Sequence, residues 1–81
     1  MKTIPDSKIM KAINAVSMTR SYIGEDFQII AHAESDNSEY WGLQSYRFSA
    51  YYLVTRHGRD YMAYECNDRI HIRYLLVKMA F

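Results

Sequence analysis

Three side chains suited to phosphate chemistry occur near the carboxyl end of the chain. His71 and Arg73 are two residues apart, and Tyr64 lies seven residues before His71. A histidine can act as a general acid or base, and an arginine can hold a phosphate group. A metal-independent ribonuclease of the small toxin type needs little more than these groups, so it is one alternative function. A lone histidine on a strand is nevertheless more often structural.

The other reactive residues form no recognisable site in the sequence. His32, His57 and Cys66 are too far apart along the chain to indicate a zinc site. Cys66 has no basic neighbour closer than Arg69, so we expect a structural or incidental thiol. The residues at 36–39 lack the glycine and the distal glutamate of a calcium loop. We therefore predict no catalytic residue, no metal and no cofactor.

Length and composition limit the class of protein. A chain of 81 residues, with 49% apolar and 23% charged residues, predicts a single globular domain over residues 1–81. The longest apolar run, residues 74–77, is too short to cross a bilayer, and no signal peptide precedes it. One cysteine cannot form an internal disulfide, which favours a cytoplasmic location. The Met1 start and the absence of a tail predict a complete small gene product.

Charge is distributed unevenly around a net value of +1. Residues 1–24 carry a net charge of +3, residues 25–44 carry −5, and residues 45–81 carry +3. This balance is too weak to indicate nucleic acid by itself, and an ordinary solvated surface explains it adequately. The twelve aromatic residues, eight of them tyrosine, are the clearest departure from average composition.

The N-terminal segment has the pattern of an amphipathic helix over residues 5–22. Apolar residues recur at helical spacing at positions 9, 12, 13 and 16, and the polar residues at positions 8, 11 and 14 lie on the other side. Thr3 followed by Asp6 resembles a capping box, with Asp6 itself as the competing N-cap, and Gly24 is a candidate C-terminal stop. A helix of this length is too short to be stable alone, so it must lay its apolar side on a sheet.

The remainder of the chain has the pattern of strands. A β-prone run over residues 27–33 is followed by a polar loop over residues 34–39 and by an exit segment, residues 40–43. The turn dipeptides His57-Gly58 and Asn67-Asp68 then separate three further runs, Ser45–Thr55, Asp60–Cys66 and Ile70–Phe81. The sequence therefore predicts an α+β fold, in which the N-terminal helix packs on one face of a four-stranded antiparallel β-meander.

Pairing across these two turns sorts the side chains onto two faces of the predicted sheet. One face is almost entirely apolar, and we expect the helix to cover it: Tyr46, Phe48, Ala50, Tyr52, Val54, Tyr61, Ala63, Ile70, Ile72, Tyr74 and Leu76. The other face mixes aromatic, basic and apolar residues: Arg47, Ser49, Tyr51, Leu53, Met62, Tyr64, His71, Arg73 and Leu75. Such a composition is unusual for a solvated face, so something must cover at least its C-terminal end.

The composition of this second face predicts a contact surface. Tyrosine, arginine, methionine and tryptophan are enriched at protein interfaces. We predict a small non-enzymatic protein-binding module, an inhibitor or modulator of a larger protein like those of phages and mobile elements. The predicted partner-binding residues are Arg47, Tyr51, Met62, Tyr64, His71 and Arg73, with Trp41 added if it is exposed rather than buried in the core.

Three alternatives to this binding surface stay open at the level of sequence. The sheet can curl around itself, which would make the second face a further part of the core. The C-terminal strand can pair with a second copy in a homodimer. Tyr51 and Tyr64 can stack on bases while arginines hold phosphates, as on a platform for single-stranded nucleic acid.

Overall fold

Two helices enclose a four-stranded antiparallel sheet from opposite sides. The computed structural model describes residues 7–17 and 21–81. The elements are α1 (Ser7–Val16), a 3-10 turn (Gly24–Asp26), β1 (Phe27–Ser35), β2 (Ser38–Ser45), β3 (Tyr51–His57), β4 (Asp60–Cys66) and α2 (Arg69–Ala80). The strands lie in the order β1-β2-β3-β4. The predicted α+β fold with a helix before a β-meander is confirmed, whereas α2 replaces the predicted last strand.

Helix α1 packs on the sheet as predicted, but it is shorter than predicted. Ile9 and Ile13 are buried against the sheet. The helix ends at Val16, not near residue 22. The two candidate capping residues, Thr3 and Asp6, lie outside the described residues.

Two hydrogen bonds to α1 hold Tyr22 in the core. The side-chain amide of Asn14 donates to the carbonyl oxygen of Tyr22 (3.0 Å), and the Tyr22 N–H donates to Asn14 Oδ1 (2.8 Å). The Tyr22 ring then packs against Phe27, with ring centroids 4.9 Å apart. Gly24 begins the 3-10 turn and does not end the helix.

The predicted acidic loop is mostly strand. Glu34 pairs with Glu39 in the β1–β2 ladder, and only the Asp36-Asn37 dipeptide lies between the strands. The Glu39 carboxylate is paired on both sides. His32 Nε2 lies 2.7 Å from one of its oxygens, and Arg56 Nη2 lies 3.5 Å from the other. These cross-strand contacts explain why a polar segment continues the sheet.

The β3–β4 turn is displaced from its predicted position, yet the sorting of faces survives. The turn is Gly58-Arg59, not His57-Gly58, and Gly58 adopts a positive φ of 63°. The observed pairs therefore shift by two residues, so that Val54 opposes Ala63. Because side chains alternate with a period of two, a two-residue shift leaves each residue on its predicted face.

The predicted strand over residues 45–55 is divided by a turn. β2 ends at Ser45 and β3 begins at Tyr51. The Ser45 N–H donates to the carbonyl oxygen of Ala50 (2.7 Å), and Ser49 adopts a positive φ of 52°. The predicted run therefore contains the end of β2 and the start of β3. The second strand of the meander is β2, which lies mostly before this run.

Residues 69–80 form helix α2, whereas the sequence pattern predicts a strand over residues 70–81. The Asn67-Asp68 dipeptide is not a hairpin turn: Asp68 is the N-cap of α2, and its carboxylate accepts from the His71 N–H (2.8 Å). Ile72 and Leu76, which are one helical turn apart, are buried on the second face of the sheet. Covering that apolar face outweighs the local alternation that favours a strand.

Each face of the sheet consequently has its own buried core. The core under α1 consists of Ile9, Ile13, Tyr22, Phe27, Trp41, Leu43, Tyr52, Val54 and Ala63. The core under α2 consists of Tyr40, Leu53, Cys66, Ile72 and Leu76. The two cores show that both faces of the predicted sheet are internal surfaces, not one internal and one open.

Gly42 allows α2 to approach the sheet closely. A Cβ atom at this position would lie 2.7 Å from Cγ2 of Ile72 and 3.0 Å from Cβ of Ala31. Both distances are shorter than ordinary carbon contacts. Any side chain at position 42 would therefore push α2 away from β1 and β2.

We predict that Gly42→Ala destabilises the protein by about 1–3 kcal/mol, because the added methyl group overpacks the core under α2. Urea denaturation measures the change in the free energy of unfolding. In an Ile72→Ala background the same substitution should cost less, since Cγ2 is gone. Equal costs in the two backgrounds would contradict this explanation.

The raised pKa of Tyr52 leads us to expect a loss of stability at high pH. Burial raises the pKa of the Tyr52 hydroxyl from 10.0 to about 12. The unfolded chain therefore releases this proton more readily, and stability falls as the pH rises from about 10 to 12. Urea midpoints at pH 8, 10 and 12 should fall more steeply for the native protein than for Tyr52→Phe. Tyr46→Phe, at an exposed tyrosine, should keep the native slope.

Candidate functional site

The second face of the sheet, predicted to be the open contact surface, is covered by the chain's own α2. Leu53 is fully buried there, and Tyr51 and Tyr64 are half-buried against the same core. The Tyr51 hydroxyl also accepts from the Gln44 side chain (3.3 Å). Since α2 packs on these residues, the face is not the exposed platform that stacking of nucleic-acid bases requires.

The ribonuclease arrangement depends on a strand that does not form. Residues two apart share a face of a strand, but they lie about 200° apart around a helix. His71 and Arg73 therefore diverge on α2. Nδ1 of His71 accepts from the Asn67 N–H (3.1 Å), while Arg73 is exposed. The structure does not bring them together as an acid–base group and a phosphate ligand.

The remaining predicted contact residues are scattered. Met62 is exposed on the edge strand β4. Arg47 lies after β2, where its guanidinium is 3.5 Å from a carboxylate oxygen of Asp26 and stacks over Phe48 at 4.9 Å. Trp41 is buried in the core under α1 and stacks on Tyr61. The seven predicted residues thus do not form one surface, and Trp41 has the core role considered in the sequence analysis.

The outer side of α2 carries a continuous row of exposed apolar side chains, here named the α2 stripe. Its members are Ile70 (79% exposed), Tyr74 (57%), Val77 (53%) and Phe81 (87%). Spacings of four, three and four residues place them on one side of the helix, over about 16 Å. The buried residues Ile72 and Leu76 lie on the opposite side. Exposed apolar groups arranged in a row typically mark an interaction site.

The charged residues of α2 that flank the α2 stripe are all basic. Arg69, Arg73 and Lys78 are the charged residues of α2, and the helix contains no acidic residue. By helical geometry, the two arginines lie along one side of the stripe and Lys78 along the other. The Lys78 ammonium lies 5.2 Å from the centroid of the Tyr74 ring, so the cation borders the apolar row directly.

A cleft of about 480 Å³ lies beside the stripe, between α2 and the edge strand β1. We name it the α2–β1 cleft; its apolar lining consists of Ile30, Ala31, Ile70, Ile72 and Leu76, and its other lining residues are His32, Arg69 and Arg73. The Arg69 guanidinium is held by the side-chain oxygen of Gln44 (2.7 Å). The cleft is therefore an apolar recess with two arginines at its α2 side.

The bulge in β1 explains part of this shape. The register of β1 against β2 shifts between Ile29 and Ala31, which leaves Ile30 without a cross-strand partner. Ile30 and Ala31 consequently both pack towards the core under α2, although strand neighbours normally face opposite sides. The bulge adds an apolar residue to the cleft at the edge of the sheet.

Sequence reasoning missed the stripe and the cleft because it assigned a strand to residues 70–81. The signal was present: residues 70, 74, 77 and 81 follow helical spacing, and so do residues 72, 76 and 79. Two apolar rows on opposite sides of one helix weaken its amphipathic pattern. The alternating Ile70, Ile72 and Tyr74 then resembled a strand.

Other kinds of site find no support in the described part of the chain. Residues 7–17 and 21–81 contain no group of three or more metal-ligating side chains. Within the same ranges, no helix is long and apolar enough to cross a membrane.

Cys66 is a buried thiol beneath α2. Its Sγ lies 3.7 Å from the carbonyl oxygen of Tyr64, and burial raises its pKa above the ordinary value of 9.0. A thiol that is both buried and protonated is a poor nucleophile.

We therefore predict slow reaction of Cys66 with Ellman's reagent at pH 8 in the native protein. In urea the reaction should be at least about a hundredfold faster. The thiol is exposed in the unfolded chain, whereas in the native protein it can react only after the α2 layer opens. The absorbance of the released thiolate measures both rates. Similar rates in the two conditions would place the thiol at the surface.

A scan against protein-family models found no match, and searches of curated proteins and of solved structures found no significant similarity.

Proposed function

We propose that this protein is a small non-enzymatic binding module that contacts another protein through the outer side of α2. The observation that carries this proposal is the α2 stripe, whose four apolar side chains are all more than half exposed. A helix of twelve residues has little need for a second apolar side to fold, because its inner side already covers the sheet. A partner helix or groove would bury the stripe.

The chemistry of the surface supports binding over catalysis. Among the described residues, the acid–base groups near α2 are used structurally: Asp68 caps the helix and His71 accepts from a backbone N–H. The stripe offers apolar and aromatic side chains, which are the usual anchors of protein contacts. We therefore keep the predicted class of inhibitor or modulator of a larger protein, of the phage or mobile-element type, and move its contact surface from the sheet to α2.

A paired set of variants tests this surface. Tyr74→Gln with Val77→Gln should reduce capture of the protein's partners from cells by about tenfold or more, since each buried apolar side chain contributes about 1.5–3 kcal/mol. Quantitative mass spectrometry of the captured proteins measures the change. Glutamine favours helix more than tyrosine or valine does, so α2 should stay folded, as circular dichroism can verify.

Met62→Gln is the matched comparison, because Met62 is 54% exposed and Val77 is 53% exposed. We expect this variant to capture the same partners as the native protein. If Met62→Gln loses them and the α2 variant keeps them, the contact lies on the β4 edge. That result would overturn the proposal.

A further inference from the structure

The α2–β1 cleft specifies the chemistry of the segment that docks on α2. Resting on the proposed function, we infer that this segment is an acidic peptide of the partner protein. It seats an apolar side chain in the cleft and places carboxylates against Arg69 and Arg73.

The first argument is the shape of the cleft. Its volume of about 480 Å³ falls within the range of binding pockets for small groups. Ile72 and Leu76 line it from α2, while Ile30 and Ala31 line it from β1. A flat lipid surface would touch the convex stripe but would leave this recess empty. An inserted side chain fills it, so the concave shape favours a peptide.

The second argument is charge. Arg69 and Arg73 are one helical turn apart and both line the cleft, and none of the described residues that line it is acidic. The bond from Arg69 to Gln44 fixes one end of the guanidinium against the sheet. A guanidinium binds a carboxylate through two parallel N–H···O bonds, which gives direction as well as attraction.

The same charges disfavour a second copy of this chain on the stripe. A symmetric pair would bring two α2 helices together, and each helix carries three basic residues and no acidic residue. Contacts between the charged residues of the two helices would therefore join like charges. A partner segment with both apolar and acidic side chains can cover the stripe and pair with the basic residues beside it.

Selection from a library of random twelve-residue peptides tests this inference on the full chain. Enriched peptides should combine aromatic or aliphatic residues with two or more acidic residues. For the strongest peptide, fluorescence anisotropy should show that replacing its Asp and Glu by Asn and Gln weakens binding about five- to tenfold, as expected for two partly exposed ion pairs. Added salt should weaken the acidic peptide more than the neutral one.

Variants of the protein locate the effect. Arg69→Gln with Arg73→Gln should bind the acidic peptide as weakly as the native protein binds the neutral one. The matched comparison is Lys11→Gln with Arg59→Gln, which removes two charges at the α1–β4 edge, on the far side of the sheet order from β1. It should retain native affinity, since neither residue lines the α2–β1 cleft.

Four outcomes would overturn the inference: no enriched peptide, enriched peptides without acidic residues, equal affinity for acidic and neutral peptides, or equal losses in the two double variants.

Stripe-dependent binding to phosphatidylglycerol vesicles without peptide binding would identify a lipid surface instead. A dimer detected by light scattering and lost in Tyr74→Gln with Val77→Gln would identify a second copy. If the stripe variant loses its cellular partners while Arg69→Gln with Arg73→Gln keeps them, the proposed function stands and the acidic preference fails.

Discussion

The close contact between Ile72 of α2 and the backbone at Gly42 is the constraint on which the rest of the structure depends. The sheet is apolar on both sides, so a single helical layer would leave Tyr40, Leu53 and Cys66 in water. Helix α2 removes this cost by lying directly on the sheet, and the missing side chain at position 42 lets it approach. Separation of α2 from the sheet would expose the core under α2.

The proposed contact surface is a consequence of this arrangement. Because the inner side of α2 covers the sheet, the tyrosines beneath it serve the core and not a contact surface. The outer side of the same helix retains four exposed apolar residues with basic flanks. The proposed contact surface therefore lies on a helix and not on a sheet face, and of the residues predicted from the sequence only His71 and Arg73 belong to that helix.

The edge strand β1 and helix α2 shape the surface together. The bulge turns Ile30 towards α2, and the two arginines lie on the neighbouring turns of the helix. Bulges at a sheet edge also discourage pairing with further strands. A side chain inserted beside the helix is therefore a better match to this edge than an added strand.

Much of the molecule follows from local pattern. The spacing of Ile9 and Ile13 predicts α1, and the alternation in β3 and β4 predicts which residues lie under it, even though the turn position was wrong by one residue. Face assignment survives because it depends only on odd or even position.

Residues 69–80 could not be decided in this way, because Ile70, Ile72 and Tyr74 satisfy a strand pattern while residues 70, 74 and 77 satisfy a helical one. Residues outside the segment decided between strand and helix. The second sheet face is apolar and requires a covering element, and Asp68 caps a helix at that position. The sequence by itself therefore determined the helix-and-meander architecture and the division of β3 and β4 into two faces. Only tertiary packing decided which residues stay exposed, since burial of one side of α2 leaves the other side free.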